Sequence, residues 1–427
     1  MPASASNARP IVSPAALTEL LIFFPVFANN STSGSRNVSA NFGQRAWAYD
    51  APAGFSALTT KNMPRLTGAA AAPQEHFKSV AYTAAGTVQA VDAGFTPDLV
   101  WIKGRNGYST PNVMSSGIYD TVRGGGITLS SEANSVEYNY ATHPNGDLAM
   151  DFTATGFTTP PVVNNNINYS GANYVAWMWK AGGAAVSNTA GSITSQVSAN
   201  PTAGFSIVTY TGNGTAGATV GHGLGVAPNL IIWKKRGATS NWFVWSKSMD
   251  VATGVTGWLY LNAINAQQTS GSTNEYPTYK VDPTSTLITL NGTGSSNGVN
   301  DSSATYVAYC FSEVPGYSKF GSYTGNGSAD GTFVYTGFRP AWVMVKRTDV
   351  DNNWLIFDTE RDVYNVAGLE LFANLSNDEN NNKPEFDMLS NGFKCRWTYA
   401  GSNASNGTYI YMAFAEKPFG NVNGTAR

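Results

Sequence analysis

Several residue groups in this chain have the types and spacing that chemistry requires, and each is tested by what surrounds it. Gly212-Asn-Gly214-Thr-Ala-Gly217 has the glycine spacing of a dinucleotide loop, which works by aiming the N–H groups of a following helix at a pyrophosphate. Here the next residues are Ala-Thr-Val-Gly-His-Gly, which open no helix, so the phosphate cradle is missing. Gly294-Ser-Ser296-Asn-Gly298 spaces a serine as a nucleophile elbow does, yet it lies in a Gly/Ser/Asn loop without a strand-to-helix turn. Asp349-Val-Asp351-Asn-Asn353, with Glu360 at the twelfth position, carries the acids of a calcium loop. The sixth position, where glycine makes the sharp turn, is Trp354. The corresponding stretch Ser240-Asn-Trp242-Phe-Val-Trp245 has no acid, so Asn-Trp reads as the start of a strand with Asp349 and Asp351 in the turn before it.

Other groups reduce to structure in the same way. Asp120-Thr-Val-Arg123 parallels Asp358-Thr-Glu-Arg361, a pairing that suits a turn, and the third equivalent stretch is Ser246-Lys-Ser-Met249. The basic strand ends Lys103, Lys234 and Lys346 read as solvated. His76, His143 and His222 never fall at metal-ligand spacing. Cys310 and Cys395 lie in strand-like runs and read as reduced core thiols. No catalytic residue, metal site or cofactor is assigned, although a carboxylate pair for glycoside cleavage can be drawn from distant strands and leaves no spacing signal. For binding, Tyr108, Tyr138, Tyr140 and Tyr276 fall in loop-like stretches beside Asn and Ser, suited to stacking on a sugar while neighbours bond its hydroxyls.

The elements that must hold these residues are β-strands. Only 12% of the 427 residues are charged, against about 25% in an average soluble chain. Gly is 44 residues, and Asn, Ser and Thr crowd between short apolar bursts, which is turn chemistry repeated throughout. The net charge of −2 comes without a basic block, which demotes nucleic-acid binding. No apolar run reaches 18 residues, so no membrane-spanning helix is expected, and Leu20–Phe27 is broken by Pro25 and makes a poor signal peptide.

The chain also repeats itself. Tyr82-Thr83, Lys103 and Tyr174-Val-Ala-Trp-Met-Trp179 find counterparts in Tyr210-Thr211, Lys234 and Tyr306-Val-Ala-Tyr-Cys-Phe311, then in Tyr323-Thr324, Lys346 and Tyr409-Ile-Tyr-Met-Ala-Phe414. The Tyr-to-Lys spacing is 21, 24 and 23 residues, and the Lys-to-Tyr spacing 71, 72 and 63. Such spacing marks internal duplication, with each copy large enough for a core. Continuous runs such as Leu99-Val-Trp-Ile suit strands buried on both faces. The expected fold is all-β: tandem antiparallel β-sandwich or jelly-roll domains, strung out as an elongated array behind a short N-terminal anchoring segment. The expected divisions are 1–66, then repeats at 76–182, 204–314 and 317–420, with 183–203 as a linker.

Gly-Phe-x-Pro-Asp-Leu-Val-Trp-Ile-Lys-x-Arg (94–105), Tyr-Asp-Thr-Val-Arg-Gly (119–124) and Tyr-Val-Ala-Trp-Met-Trp-Lys (174–180) resemble a domain of uncharacterised function found in tailed-phage tail fibres and other virion proteins. Residues 38–58 are similar to the last strands of a SPRY-type, lectin-like jelly roll. The resemblance implies a structural virion protein of tail-fibre type, made in the host cytoplasm, that supports attachment to host-surface polysaccharide without catalysis. It implies a homotrimer, and the apolar residues Phe23, Phe24, Phe27, Phe42, Trp47 and Tyr49 make residues 1–66 the segment expected to join other tail or baseplate proteins. A capsid-decorating or head-fibre protein, and a glycan-cleaving tail enzyme, are the alternatives. Nucleic acid and membrane insertion are not expected.

Overall fold

The computed structural model describes residues 67–106, 115–142, 149–160, 167–249, 257–269, 281–290, 298–380 and 383–417, all within the compact unit Leu66–Arg427. The first copy supplies β1 (Phe77–Thr83), β2 (Ala90–Asp92), β3 (Leu99–Asn106), β4 (Gly117–Asp120), β5 (Ile127–Thr128), β6 (Tyr138–Asn139), β7 (Asp151–Thr153), β8 (Gly156–Thr158) and β9 (Asn173–Trp179). After β10 (Val186–Asn188) and β11 (Ser195–Asn200), the second copy supplies β12 (Phe205–Thr211), β13 (Thr219–Gly221), β14 (Leu230–Lys235), β15 (Phe243–Ser246), β16 (Gly257–Tyr260), β17 (Gln268–Thr269), β18 (Leu287–Thr289) and β19 (Thr305–Phe311). The third supplies β20 (Ser318–Thr324), β21 (Phe333–Tyr335), β22 (Arg339–Arg347), β23 (Trp354–Asp358), β24 (Leu371–Phe372), β25 (Phe386–Leu389), β26 (Gly392–Cys395) and β27 (Thr408–Lys417). Among the described residues, helical structure is limited to 3-10 turns such as Pro73–Glu75.

Each copy is an antiparallel sandwich of a large and a small sheet. The large sheets run β1-β9-β3-β4, β10-β11-β12-β19-β14-β15-β16-β17 and β20-β27-β22-β23-β24. The small ones are β2-β8-β7, β13-β18 and β21-β26-β25. The all-β sandwich expectation thus holds. The stretch 183–203 differs from the linker expected of it. Its residues add β10 and β11 to the second large sheet, because Ser195, Val197 and Ser198 turn inward while Gln196 faces out.

The elongated array is also replaced. Both faces of the first and third large sheets are buried, against different partners. In β9, Val175, Trp177 and Trp179 join one central core, while Tyr174, Ala176 and Met178 join the core of their own sandwich. In β27, Ile410, Met412 and Phe414 face the centre, and Tyr409, Tyr411 and Ala413 face the third sandwich. This period of two, apolar on both sides, is why the strands read as unbroken hydrophobic runs. Trp179, Phe311 and Phe414 occupy equivalent register positions and form a triangle at the centre, with ring centroids 6.4, 6.1 and 5.7 Å apart. The three sandwiches therefore close around a shared axis.

The repeated tyrosines belong to this frame. Tyr82 stacks on Tyr174, Tyr210 on Tyr306 and Tyr323 on Tyr409, at 5.3, 5.2 and 4.9 Å. Their hydroxyls donate to, or accept from, backbone in the loop before the closing strand. Asn300 and Asn403 reach back to clamp the crossover loops Gly212-Asn-Gly214 and Gly325-Asn-Gly327. The glycine motif that mimics a phosphate loop is a tied crossover from the large sheet to the small one.

Candidate functional site

Three copies of one sandwich serve as controls for one another: what all three share the fold requires, and what only one carries needs another reason. The shared set is largest at the junctions between copies. Lys103, Lys234 and Lys346 are fully buried rather than solvated. Lys103 Nζ donates to the Leu375 carbonyl in copy three, Lys234 Nζ to Asn134 in copy one, and Lys346 Nζ to Ile264 in copy two. The contacts run head to tail and close, which is how heterologous interfaces make a ring. A lysine after an apolar run reads as the exit of a strand from sequence, because the accepting carbonyl belongs to a different copy. Burial pushes the Lys234 and Lys346 ammonium groups down to about 8.

Two of the three junctions hold a charged chain. Asp120 bonds Arg123, Arg123 faces Glu137 of its own copy, and Glu137 takes a bidentate pair from Arg236 of copy two. Asp358, Arg361, Glu379 and Arg105 repeat this from copy three to copy one. The aspartates also accept from the neighbouring copy: Tyr309 hydroxyl at 2.8 Å for Asp120, and Trp177 Nε1 at 3.0 Å for Asp358. At the third junction the equivalent residues are Ser246, Met249, Gln267 and Thr348, and Met412 stands where Tyr309 and Trp177 stand. The four charges of the ion chain are absent there together, as expected if a buried ion chain is tolerated only when complete. The Asp–Arg pairs are structural.

Of the sequence candidates, the structure brings together Tyr138 and Tyr140, with ring centroids 4.7 Å apart and planes at 65°. Tyr138 is 46% exposed on β6. The pair is held firmly, since the adjoining Glu137 is bolted to Arg236 through both its backbone N–H and its carboxylate. Burial, then Tyr138, raises the Tyr140 hydroxyl above its ordinary pKa. Tyr108, Tyr276, His143 and Gly294–Asn297 of the elbow-like segment lie outside the described residues. Asp349 is taken by Arg347 in its own turn, and Asp351 accepts from the Ala266 N–H of copy two, so one acid serves the turn and the other the junction. Cys310 and Cys395 are free and buried. His222 is buried between its own turn and Thr284.

Copy three carries a group that sequence reasoning missed. Glu370 and Glu385 are both 0% exposed, where copy one has Thr128 and Ala149. Glu385 Oε2 accepts from Ser402 at 2.7 Å, while Oε1 has no hydrogen-bond partner. Lys383 Nζ lies 3.6 Å from Glu370 Oε2 and 4.1 Å from the centre of the Tyr399 ring, with Trp397 beyond. Glycoside cleavage needs carboxylates that reach substrate, and these are sealed from solvent. Burial, reinforced by Glu370, pushes the Glu385 carboxyl up to about 7. A carboxyl raised in this way favours the fold while protonated, so its contribution is complete below about 4.5 and is lost as pH rises through about 7. Replacing Glu385 by Gln should therefore leave the thermal midpoint nearly unchanged at pH 4 and raise it at pH 8, where the gain in stability is about 3 kcal/mol. Calorimetry at the two pH values checks this, and equal shifts at both would disprove it.

Two cavities lie among the described residues. One, of about 20 Å³, is apolar and central, between Trp101, Trp242 and Tyr309. The other is a cleft of about 400 Å³ lined by Thr96, Asp98, Lys180 and Pro201. Its buried acid, Asp98, already accepts from Thr121 and from the Ala181 and Gly183 N–H groups.

Against known proteins, a family model described as Domain of unknown function (DUF7483) matches residues 72–418, so one model spans all three copies. No curated protein and no solved structure matches.

Proposed function

Since the chain belongs to the DUF7483 family, whose description carries no activity, we propose its role from its surface: a structural virion protein of tail-fibre type that supports attachment of a tailed phage to host-surface polysaccharide. The observation that carries this reading is the Tyr138–Tyr140 pair, an exposed ring held against a half-buried one, with Asn139 between them in sequence. Rigid aromatics with a polar tip supply contact area at little entropic expense, and pyranose rings offer the matching C–H faces. The resemblance of residues 94–105, 119–124 and 174–180 to a domain of phage virion proteins supports the same assignment. Binding proceeds without turnover, and the protein travels on the tail after synthesis in the host cytoplasm. Assembly is as a homotrimer joined to other tail or baseplate proteins through residues 1–66.

Replacing Tyr138 and Tyr140 together by Ala should reduce adsorption of assembled particles to host cells at least about tenfold, the loss of a well-packed aromatic contact. Unchanged adsorption would remove the pair from the binding surface. Deleting residues 1–66 should give a protein that sediments as a monomer and fails to join the particle. A trimer that still assembles would place these contacts elsewhere.

A further inference from the structure

The small sheet of copy three has an outward face unlike its two counterparts. Ala90, Thr219 and Phe333 occupy one equivalent position, and Asp92, Gly221 and Tyr335 the other, each pair flanking a buried valine. The fold is satisfied by small residues at both places in copies one and two. Copy three instead exposes Phe333 at 44% and Tyr335 at 38% on β21, the edge strand of its sheet.

The rings have glycines beneath them. A Cβ on Gly392, directly across from Tyr335, would stand 3.1 Å from Phe333 Cε2. A Cβ on Gly337 would stand 3.5 Å from the Tyr335 hydroxyl oxygen. The turn glycines equivalent to Gly337, Gly94 and Gly225, share its positive φ and have nothing over them. The edge of Phe333 thus lies over Gly392 and the hydroxyl end of Tyr335 over Gly337, where no side chain stands, and both residues keep part of their surface in solvent. Around them, Lys394 pairs with Asp330 and Arg396 with Asp387. Their charges cancel, so the rim offers hydrogen-bonding groups without a net field. Two aromatic side chains exposed on one face of an edge strand can take a flat apolar partner, and a charge-balanced rim fits an uncharged occupant.

We propose that Phe333 and Tyr335 form a stacking platform for an uncharged polysaccharide, the rings meeting pyranose C–H faces while the Lys394–Asp330 and Arg396–Asp387 pairs bond its hydroxyls. This rests on the attachment reading above and names a second, chemically defined surface for it.

The test uses the full chain on an array of uncharged and acidic bacterial glycans. It compares wild type with Phe333→Thr/Tyr335→Gly, which copies the residues of copy two, and with Tyr138→Ala/Tyr140→Ala. Wild type should retain uncharged glycans, and the copy-two variant should lose them at least about tenfold with its melting temperature unchanged. Binding that survives that variant but falls with the Tyr138/Tyr140 variant overturns the platform and leaves the attachment reading standing. Binding of no glycan, or of acidic glycans only, overturns the platform. Self-association that disappears in the copy-two variant also overturns it, assigning the face to a second copy of the chain. Should the copy-two variant unfold, Phe333→Leu/Tyr335→Leu, which keeps apolar bulk and removes the flat rings, decides by the same readout.

Discussion

Truncating Trp342 to Ala should destabilise the protein by about 3–5 kcal/mol, the range for a large aromatic removed from a packed core. Trp342 is fully buried and its ring lies 5.8 Å from Trp179, 6.0 Å from Trp177 and from Phe414, and 6.4 Å from Phe77. Those neighbours come from copies one and three. The cavity would therefore open between sandwiches, where two sheets must move together to close it. Chemical denaturation followed by tryptophan fluorescence and by far-ultraviolet dichroism measures the loss. The two probes should fall together, because the central core joins the copies into one unit. A loss below about 1 kcal/mol would show that this centre is not tightly packed.

Breaking one charged junction should have an effect of similar size. Arg361→Ala removes the partner of Asp358 and one of the two arginines on Glu379, all of them buried. Leaving a buried charge unpaired typically costs about 3–5 kcal/mol. The third junction shows how to recover it. Converting Asp358, Arg361, Glu379, Arg105 and Trp177 to Ser, Met, Gln, Thr and Met copies the neutral set of Ser246, Met249, Gln267, Thr348 and Met412. That five-fold variant should be more stable than Arg361→Ala alone, although it changes more residues. If it is less stable, the junctions are not interchangeable and their equivalence is only geometric.

Much of the fold was legible because both faces of the large sheets are buried, so strands such as Leu99–Ile102 and Leu230–Trp233 announce themselves as unbroken apolar runs. Duplication was legible because the stacked tyrosines and the buried lysines recur at nearly constant spacing. What the lysines do was hidden, since spacing within a copy says nothing about which copy supplies the accepting carbonyl. The 183–203 stretch misled for a related reason: small polar residues suit a linker, and they equally suit strands that pack closely against a neighbour. Of the proposed binding surface, the Tyr138–Tyr140 pair could be found as aromatics among Asn and Ser. Phe333 and Tyr335 could not, because Phe-Val-Tyr is ordinary strand alternation until it is aligned with Ala90-Val-Asp92 and Thr219-Val-Gly221. Glu370 and Glu385 are brought together by the third sandwich and have no spacing that marks them.

The closure of three sandwiches within one polypeptide has a thermodynamic corollary. A ring built from three separate chains loses subunits on dilution, because its stability follows protomer concentration. Covalent continuity holds each neighbour at a fixed effective concentration, so this ring keeps its junctions in a sample as dilute as single particles. It also releases the copies from the identity that a homo-oligomer imposes. A substitution enters one position instead of three, which is how one junction can shed its charges and one outer sheet acquire aromatic rings while the other two keep the scaffold.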